Sequence, residues 1–326
     1  MVRTRALAIQ TATVLAVLGA VYLVLFILKL AGQGQTFALQ QLISGIAIGA
    51  IYGAVALALV LIYRSTDVIN FAQGEMATFC TFVSWSLITQ NHLPFWGAFF
   101  VTMVIGAILG ALLQKVVIAP VENAPVLTVI IVTLGLFEAF NSGTNFIWQS
   151  QPKSYPTPFG AGNVKIFSAA IAKSDLGSLV VILIVMLLVY LFFSRTKLGL
   201  ASRAAAQNPL AARLCGVSVS AMLTLGWALA AVVGAAAGML VANKLTLDPN
   251  MMIGVLLYAF AAAVLGGLDN PVGAVVGGFV IGIIQNVVVG SDLLKGIPDF
   301  VAFLVIVIAL AIRPSGLLGR QVVKKV

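Results

Sequence analysis

The sequence predicts an all-α, polytopic helical membrane protein with about eight to ten transmembrane segments, some of them short or broken by glycine. Of 326 residues, 61% are hydrophobic and only 8% charged, and the mean hydropathy is +1.13, far from the balance of a soluble domain. The apolar residues fall in repeated runs, most of them long enough to cross a hydrocarbon layer of about 30 Å. The basic residues stand between those runs. With 18 Lys and Arg against 9 Asp and Glu, the net charge is +9, yet no amphipathic basic face collects it. Orientation in a membrane therefore explains the charge better than a nucleic-acid partner does. A single transmembrane domain is expected over residues 1–326.

The first apolar run, Leu7–Leu30, follows Arg3 and Arg5 and is too long for a signal-peptide core of about 7–15 residues, so it reads as a retained first helix. Nine further runs follow, at Phe37–Ile62, Phe71–Thr89, Phe95–Val117, Pro125–Trp148, Leu176–Phe193, Val219–Val241, Gly254–Leu268, Val272–Val289 and Phe300–Ile312. Gly254–Leu268 and Phe300–Ile312 fall short of the roughly 20 residues a perpendicular span needs, so each is re-entrant, extended by its flanks, or half of a broken helix.

If the N-terminus is cytoplasmic and all ten runs cross, the inner side holds Arg3, Arg5, Arg64, Lys115, Arg195, Lys197, Arg203, Arg213, Arg313, Arg320, Lys324 and Lys325. The outer side receives Lys29, Lys153, Lys165, Lys173, Lys244 and Lys295. That excess of inner cations satisfies the positive-inside rule and places both termini in the cytoplasm of a cell bounded by a plasma membrane. Residues 149–175 then form the one sizeable external loop, and Pro152, Pro156 and Pro158 favour an irregular rigid cap over a long helix.

Residues 194–221, SRTKLGLASRAAAQNPLAARLCGVSVSA, break the apolar texture with basic, Gly- and Pro-punctuated sequence on the cytoplasmic side. Asn208 is suited to a helix N-cap, Pro209 to the first helical position and Gly216 to the left-handed residue that ends a helix, which predicts about two turns over Pro209–Cys215. A helix so short is marginal alone in water, so the rest of the fold or a partner must hold it.

Two regions are dense in Gly and Ala, with GxxxG spacing at Gly45/Gly49, Gly273/Gly277 and Gly278/Gly282. Small residues let helices approach closely; Gly-broken segments can also mark a transport pathway. Ionisable groups inside spans cost about 2.5–3.5 kcal/mol or more and need a reason. Glu138 lies near the middle of its run, with Asn141, Ser142 and Asn145 following at helical spacing; this polar stripe either lines a watery path or joins two helices by hydrogen bonds. Asn70, Gln73 and Glu75 follow the turn at Arg64–Asp67, where capping and the helix dipole suit all three, as a gate or a brace at a cytoplasmic helix end. His92, alone in a short outer loop, reads as a solvated surface residue. Cys80 lies in an apolar run and Cys215 in the basic segment, which gives neither a disulfide nor a metal framework.

No nucleophile–base or metal constellation and no phosphate-binding loop is present, so an enzyme is the weakest reading and no cofactor is expected. Against these residues the chain resembles the permease subunits of branched-chain amino acid (Liv-type) ABC transporters. The resemblance rests on five pieces in order: QQLISGIAIGAIYGAVALALVLIYRSTDVINFAQGEM, TLGLF (Thr133–Phe137), RTKLGLASRAAAQNPLAARLCGV, AFAAAVLGGLDNPVGAVVGGFVIGIIQN and RPSGLLG (Arg313–Gly319). It implies that the segment bearing Arg203, Asn208, Pro209, Arg213 and Gly216 docks a cytoplasmic ATPase. It also implies a homologous second permease subunit, two cytoplasmic ABC ATPase subunits that carry out the hydrolysis, an external solute-binding protein, and branched-chain amino acids as solute. Two departures stand out: Gln73 occupies a place usually held by His, and Leu210 one usually held by an acidic residue. Urea or short amides are the alternative solutes within the family, and a secondary transporter using Glu138 is the alternative outside it.

Overall fold

A computed structural model describes residues 35–66, 68–122, 124–160, 162–166, 169–290, 298–312 and 316–319. The expected first span, Leu7–Leu30, both chain termini and Arg313 lie outside the described residues. All nine remaining apolar runs form helices: α1 (Gln35–Thr66), α2 (Gln73–Thr89), α3 (Phe95–Leu113), α4 (Val126–Trp148), α5 (Lys173–Arg195), α8 (Val219–Leu245), α9 (Met251–Gly266), α10 (Pro271–Gly290) and α11 (Pro298–Ile312). Between α5 and α8 come two short helices, α6 (Lys197–Gln207) and α7 (Pro209–Leu214). Among the described residues six helical stretches are long and apolar enough to cross a membrane: Leu39–Arg64, Phe95–Val121, Val126–Trp148, Lys173–Arg195, Val219–Leu245 and Pro271–Gly290. The helix over Met251–Gly266 is shorter, as its sequence predicted.

The proline-rich loop after α4 is not wholly irregular. Its distal part pairs β1 (Asn163–Ile166) antiparallel with β2 (Ala169–Ala172), and its proximal part is held by a bridge between Lys153 and Leu247 and by a hydrogen bond of 2.8 Å between Ser84 and Tyr155 hydroxyls. At the end of α3 the helix widens into a π turn over Gln114–Ile118. Pro120 lacks an N–H and cannot complete the i to i−4 ladder, and Ala119 instead donates to the carbonyl of Gln114 five residues back.

The chain divides into two compact units. One draws on Met1–Ala56, Phe159–Leu179 and Leu257–Val326, the other on Leu57–Pro158 and Val180–Leu256. In the first unit the glycine-rich sequences are consumed by packing. A Cβ on Gly45 would lie 2.8 Å from the Cα of Ile283, one on Gly49 2.8 Å from the carbonyl of Gly278, and one on Gly278 or Gly282 would collide with the backbone of Gly53 or Gly49. Backbone thus meets backbone along α1 and α10, which answers the choice between packing and pathway at the GxxxG pairs in favour of packing. Beside that seam Asn286 donates to the carbonyl and the side-chain oxygen of Gln41, at 2.8 and 2.6 Å. The conspicuous Gly-Gly-Leu-Asp-Asn-Pro turn between α9 and α10 receives residues from the far end of the chain. Leu317 and Leu318 donate backbone N–H groups to Leu265 and Gly266, and Asn270 donates to the carbonyl of Leu318 at 2.9 Å. Two sequence motifs some fifty residues apart are therefore one structural joint.

In the second unit, α8 packs on α2 and α3 through small residues, with Gly110 against the carbonyl of Trp227 and Gly238 beside Thr81. Trp227 and Phe82 are fully buried in this unit.

Candidate functional site

Asn70, Gln73 and Glu75, at the start of α2, are all 0% exposed. Asn70 accepts a hydrogen bond from the Ala72 N–H two residues on, while Ala72, with no capping side chain, holds the N-cap position of α2. Gln73 turns away from its own helix and donates through Nε2 to the carbonyl of Ala230 in the middle of α8, at 3.0 Å. Gly234, one turn further, makes room: a Cβ there would come within 2.5 Å of the same Nε2. The Gln73 amide therefore braces α2 against α8.

Glu75 joins the polar stripe of α4. Its Oε2 accepts from Asn141 Nδ2 at 3.3 Å, and the same amide donates to Asn250 Oδ1 at 2.8 Å. Asn145 donates to the side chain of Asn141 at 3.1 Å and accepts from Ser150 at 2.6 Å. Asn250 is held in turn by a turn in which its N–H donates to Asp248. The sequence reading missed this last participant. Its signal was the Asp-Pro-Asn turn before α9, a strong local fold that also presents an amide. Buried Glu75 Oε1 and Gln73 Oε1 have no hydrogen-bond partner among the described residues.

Glu138, by contrast, stays outside this node. It is exposed on α4 and, among the described residues, accepts a helical i, i+4 hydrogen bond from Ser142, at 3.0 Å. Asn141 and Ser142 lie about 100° apart around the helix, so one edge of the stripe turns inward to α2 and the other outward. The inward edge is backed by aromatic contacts, Phe79 with Phe140 and Trp148, and by Trp148 Nε1 donating to Ser86 at 2.7 Å. The outward edge is unusual for a span: only 11% of the apolar window of α4 is buried, against 89% for α1. That open face mixes Ile131, Leu134 and Phe146 with Gly135, Glu138 and Ser142.

The node predicts a difference between neighbours on one helix. Asn141→Ala removes the donor to Glu75 and Asn250 and should lower the melting temperature in detergent, by a stability loss of about 1–2 kcal/mol. Ser142→Ala, on the open edge, should melt like the parent. Equal melting of both variants would exclude a brace at Asn141.

The basic segment forms the capped element its sequence predicts. Thr196 Oγ1 accepts from Gly199 N–H at 3.0 Å to open α6, and Asn208 Oδ1 accepts from Ala211 N–H at 3.0 Å to open α7, with Pro209 in its first turn. At the far end Gly216 takes φ +79°. Its N–H donates to Arg213 and that of Val217 to Ala212, the paired bonds of a left-handed helix termination. The helical residues are Pro209–Leu214. Ala212 is the buried side of α7, packed with Ala205 and Val219, whereas Asn208, Pro209, Arg213 and Gly216 are exposed, with Leu210 72% and Leu214 84% exposed. Arg203 lies apart from that surface, half-buried on α6, and its Nε has no hydrogen-bond partner among the described residues. His92 is exposed, as its sequence context implied; Cys80 is buried and Cys215 exposed, both free thiols.

Long apolar helices, interhelical amide hydrogen bonds and backbone-to-backbone glycine seams define a polytopic helical membrane protein. Residues 41–310 match the family described as branched-chain amino acid transport system / permease component, and the chain belongs to that family of ABC transporter permeases. It is 28% identical over 301 residues to the high-affinity branched-chain amino acid transport system permease protein LivH of Escherichia coli (strain K12), covering 88% of this chain and 97% of that protein. The BraD permease protein of the corresponding system in Pseudomonas aeruginosa is 28% identical over 302 residues, covering 88% of this chain and 98% of that one. The autoinducer 2 import system permease protein LsrC of Enterobacter sp. (strain 638) is 29% identical over 283 residues, covering 84% and 76%. These relatives are transport components rather than enzymes.

Proposed function

We propose that the chain is the membrane-spanning subunit of an ATP-driven importer of branched-chain amino acids in a bacterial plasma membrane. Its α6–α7 element, on the cytoplasmic side, docks one of two separate ABC ATPase subunits. The observation that carries this reading is the contrast within α7: both ends are capped and one side is packed, yet Leu210, Arg213 and Leu214 are left exposed by the described residues. An ordered helix of six residues presenting two exposed leucines and a cation is a ready insert for a groove in another protein. Leu210, where the family usually carries an acidic residue, makes the contact more apolar and less dependent on salt.

The open, partly polar face of α4 supports the second half of the proposal. Hydrocarbon accepts no hydrogen bonds, so a span exposing Glu138, Ser142 and Gly135 belongs against a second permease subunit or the solute path between the two, with the remaining apolar surface against lipid. An external solute-binding protein would deliver the solute on the side of the β1–β2 hairpin. The node of Glu75, Asn141, Asn145 and Asn250 then acts as the brace that holds the lining helix in place.

The test separates ATP drive from ion coupling. In cells with a collapsed proton gradient but intact ATP, uptake should persist, and Glu138→Gln, which keeps shape and hydrogen bonding, should retain most of it. Loss of uptake on collapsing the gradient would overturn the importer reading in favour of a secondary transporter with Glu138 as its proton site.

A further inference from the structure

A cavity of about 30 Å³, enough for about two waters or the oxygens of a small anionic group, opens where four helices of the second unit converge. Leu61 and Arg64 at the end of α1, Phe193 near the end of α5, Ser202 and Arg203 on α6, and Met222 at the start of α8 supply its walls. Two arginines share this lining, and no acidic residue is among the described residues that form it. The Nε–H of Arg203 is buried and donates to nothing in the described structure. The hydroxyl of Ser202 is directed at the Met222 sulfur at 3.4 Å, a weak acceptor that an anionic oxygen would readily replace. The Arg203 Nε–H and the Ser202 hydroxyl, with Arg64 in the same lining, are donors of the kind that bind phosphate, and apolar walls raise the strength of each charge-assisted bond.

We propose that this cavity binds a phosphate group, held by Arg203, Arg64 and Ser202. A bound phosphate would tie α6, and through it the docking helix α7, to the ends of the spanning helices. Basic pockets between helices at the cytoplasmic face take lipid headgroups, and the apolar lining by Leu61, Phe193 and Met222 suits the glycerol end of a phospholipid. Free phosphate offers the same chemistry. The side of the membrane on which the site lies rests on the function proposed above; phosphate binding itself does not.

The experiment uses the full-length protein in detergent, stripped of lipid, with three probes: phosphatidylglycerol, phosphatidylcholine and inorganic phosphate. Bound ligand is counted by native mass spectrometry and its effect by the shift in melting temperature. Phosphatidylglycerol should bind the parent and raise its melting point, and Arg203→Gln should weaken binding by about tenfold, the scale of one charge-assisted contact. Arg195→Gln, an exposed cation outside the cavity, should leave binding unchanged. Stabilisation by inorganic phosphate, and its competition with the lipid, would identify the free anion as a ligand; response to the lipid alone would identify the headgroup. If Arg203→Gln does not yield monodisperse protein, Arg203→Lys and Ser202→Ala carry the test, each expected to bind more weakly than the parent. The proposal is overturned if neither probe binds the parent above phosphatidylcholine, or if the Arg203 and Arg195 variants lose binding equally. Because the readout is ligand binding, failure here leaves the transport reading standing, and failure of uptake leaves this site standing.

Discussion

Replacing Gly282 by valine should all but eliminate folded protein. Even the first carbon of the new side chain would collide with the backbone of Gly49, and neither helix can yield by a rotamer change, because the colliding atoms are main chain. Overpacking of this kind costs about 1–3 kcal/mol where side chains can move and more where they cannot, against a total stability of about 5–15 kcal/mol. The comparison that isolates the seam is Gly143→Ala on α4, where a Cβ meets nothing within 4 Å. Gly143→Ala should elute as monodisperse protein and melt at or above the parent temperature, with helix propensity in its favour. If the Gly282→Val protein is recovered in parental yield with an unchanged melting temperature, the glycine seam does not hold α1 to α10.

The second large effect concerns α7, the proposed docking helix. The double change Arg213→Glu and Leu214→Asp alters only exposed groups, so the permease should insert, purify and melt as the parent does. Uptake, and the ATPase activity of the assembled transporter, should fall at least tenfold, because a buried apolar anchor and a cation at an interface are each worth about 1–3 kcal/mol or more. Asn208→Ala probes the same element from within. Loss of the cap to Ala211 costs about 1 kcal/mol of helix stability, and partial uncoupling without loss of assembly is the expected intermediate. Full uptake by the double variant would remove α7 from the coupling pathway.

The places where sequence reading succeeded share a physical cause. Apolar runs become helices in a membrane because an isolated segment must satisfy its own backbone there, so length and hydropathy located all nine runs that fall within the described residues. The cap of α7 was equally legible, since Asn208, Pro209 and Gly216 act within a few residues of themselves. Resemblance reached the family because its motifs are contiguous. The site was legible only in part. Asn141 and Asn145 had the right spacing, but which edge of the stripe turns inward depends on the rotation of α4, and that is set by Phe79, Phe82 and Trp148 packing between α2 and α4.

What the sequence by itself determined is therefore local or summed over a segment: the helical class, the membrane setting, the spans, and the short capped helix between α6 and α8. Tertiary structure alone decided the rest. It buried Asn70, Gln73 and Glu75 at the start of α2, brought Asn250 to Asn141 across 109 positions, and left Glu138 on an open face. It also turned the glycine repeats into a seam and brought Arg64 and Arg203 to one cavity. The reason is range: hydropathy and capping are properties of neighbouring residues, while the partner of a buried amide or guanidinium is chosen by whichever helix the packing of small and aromatic side chains brings alongside it.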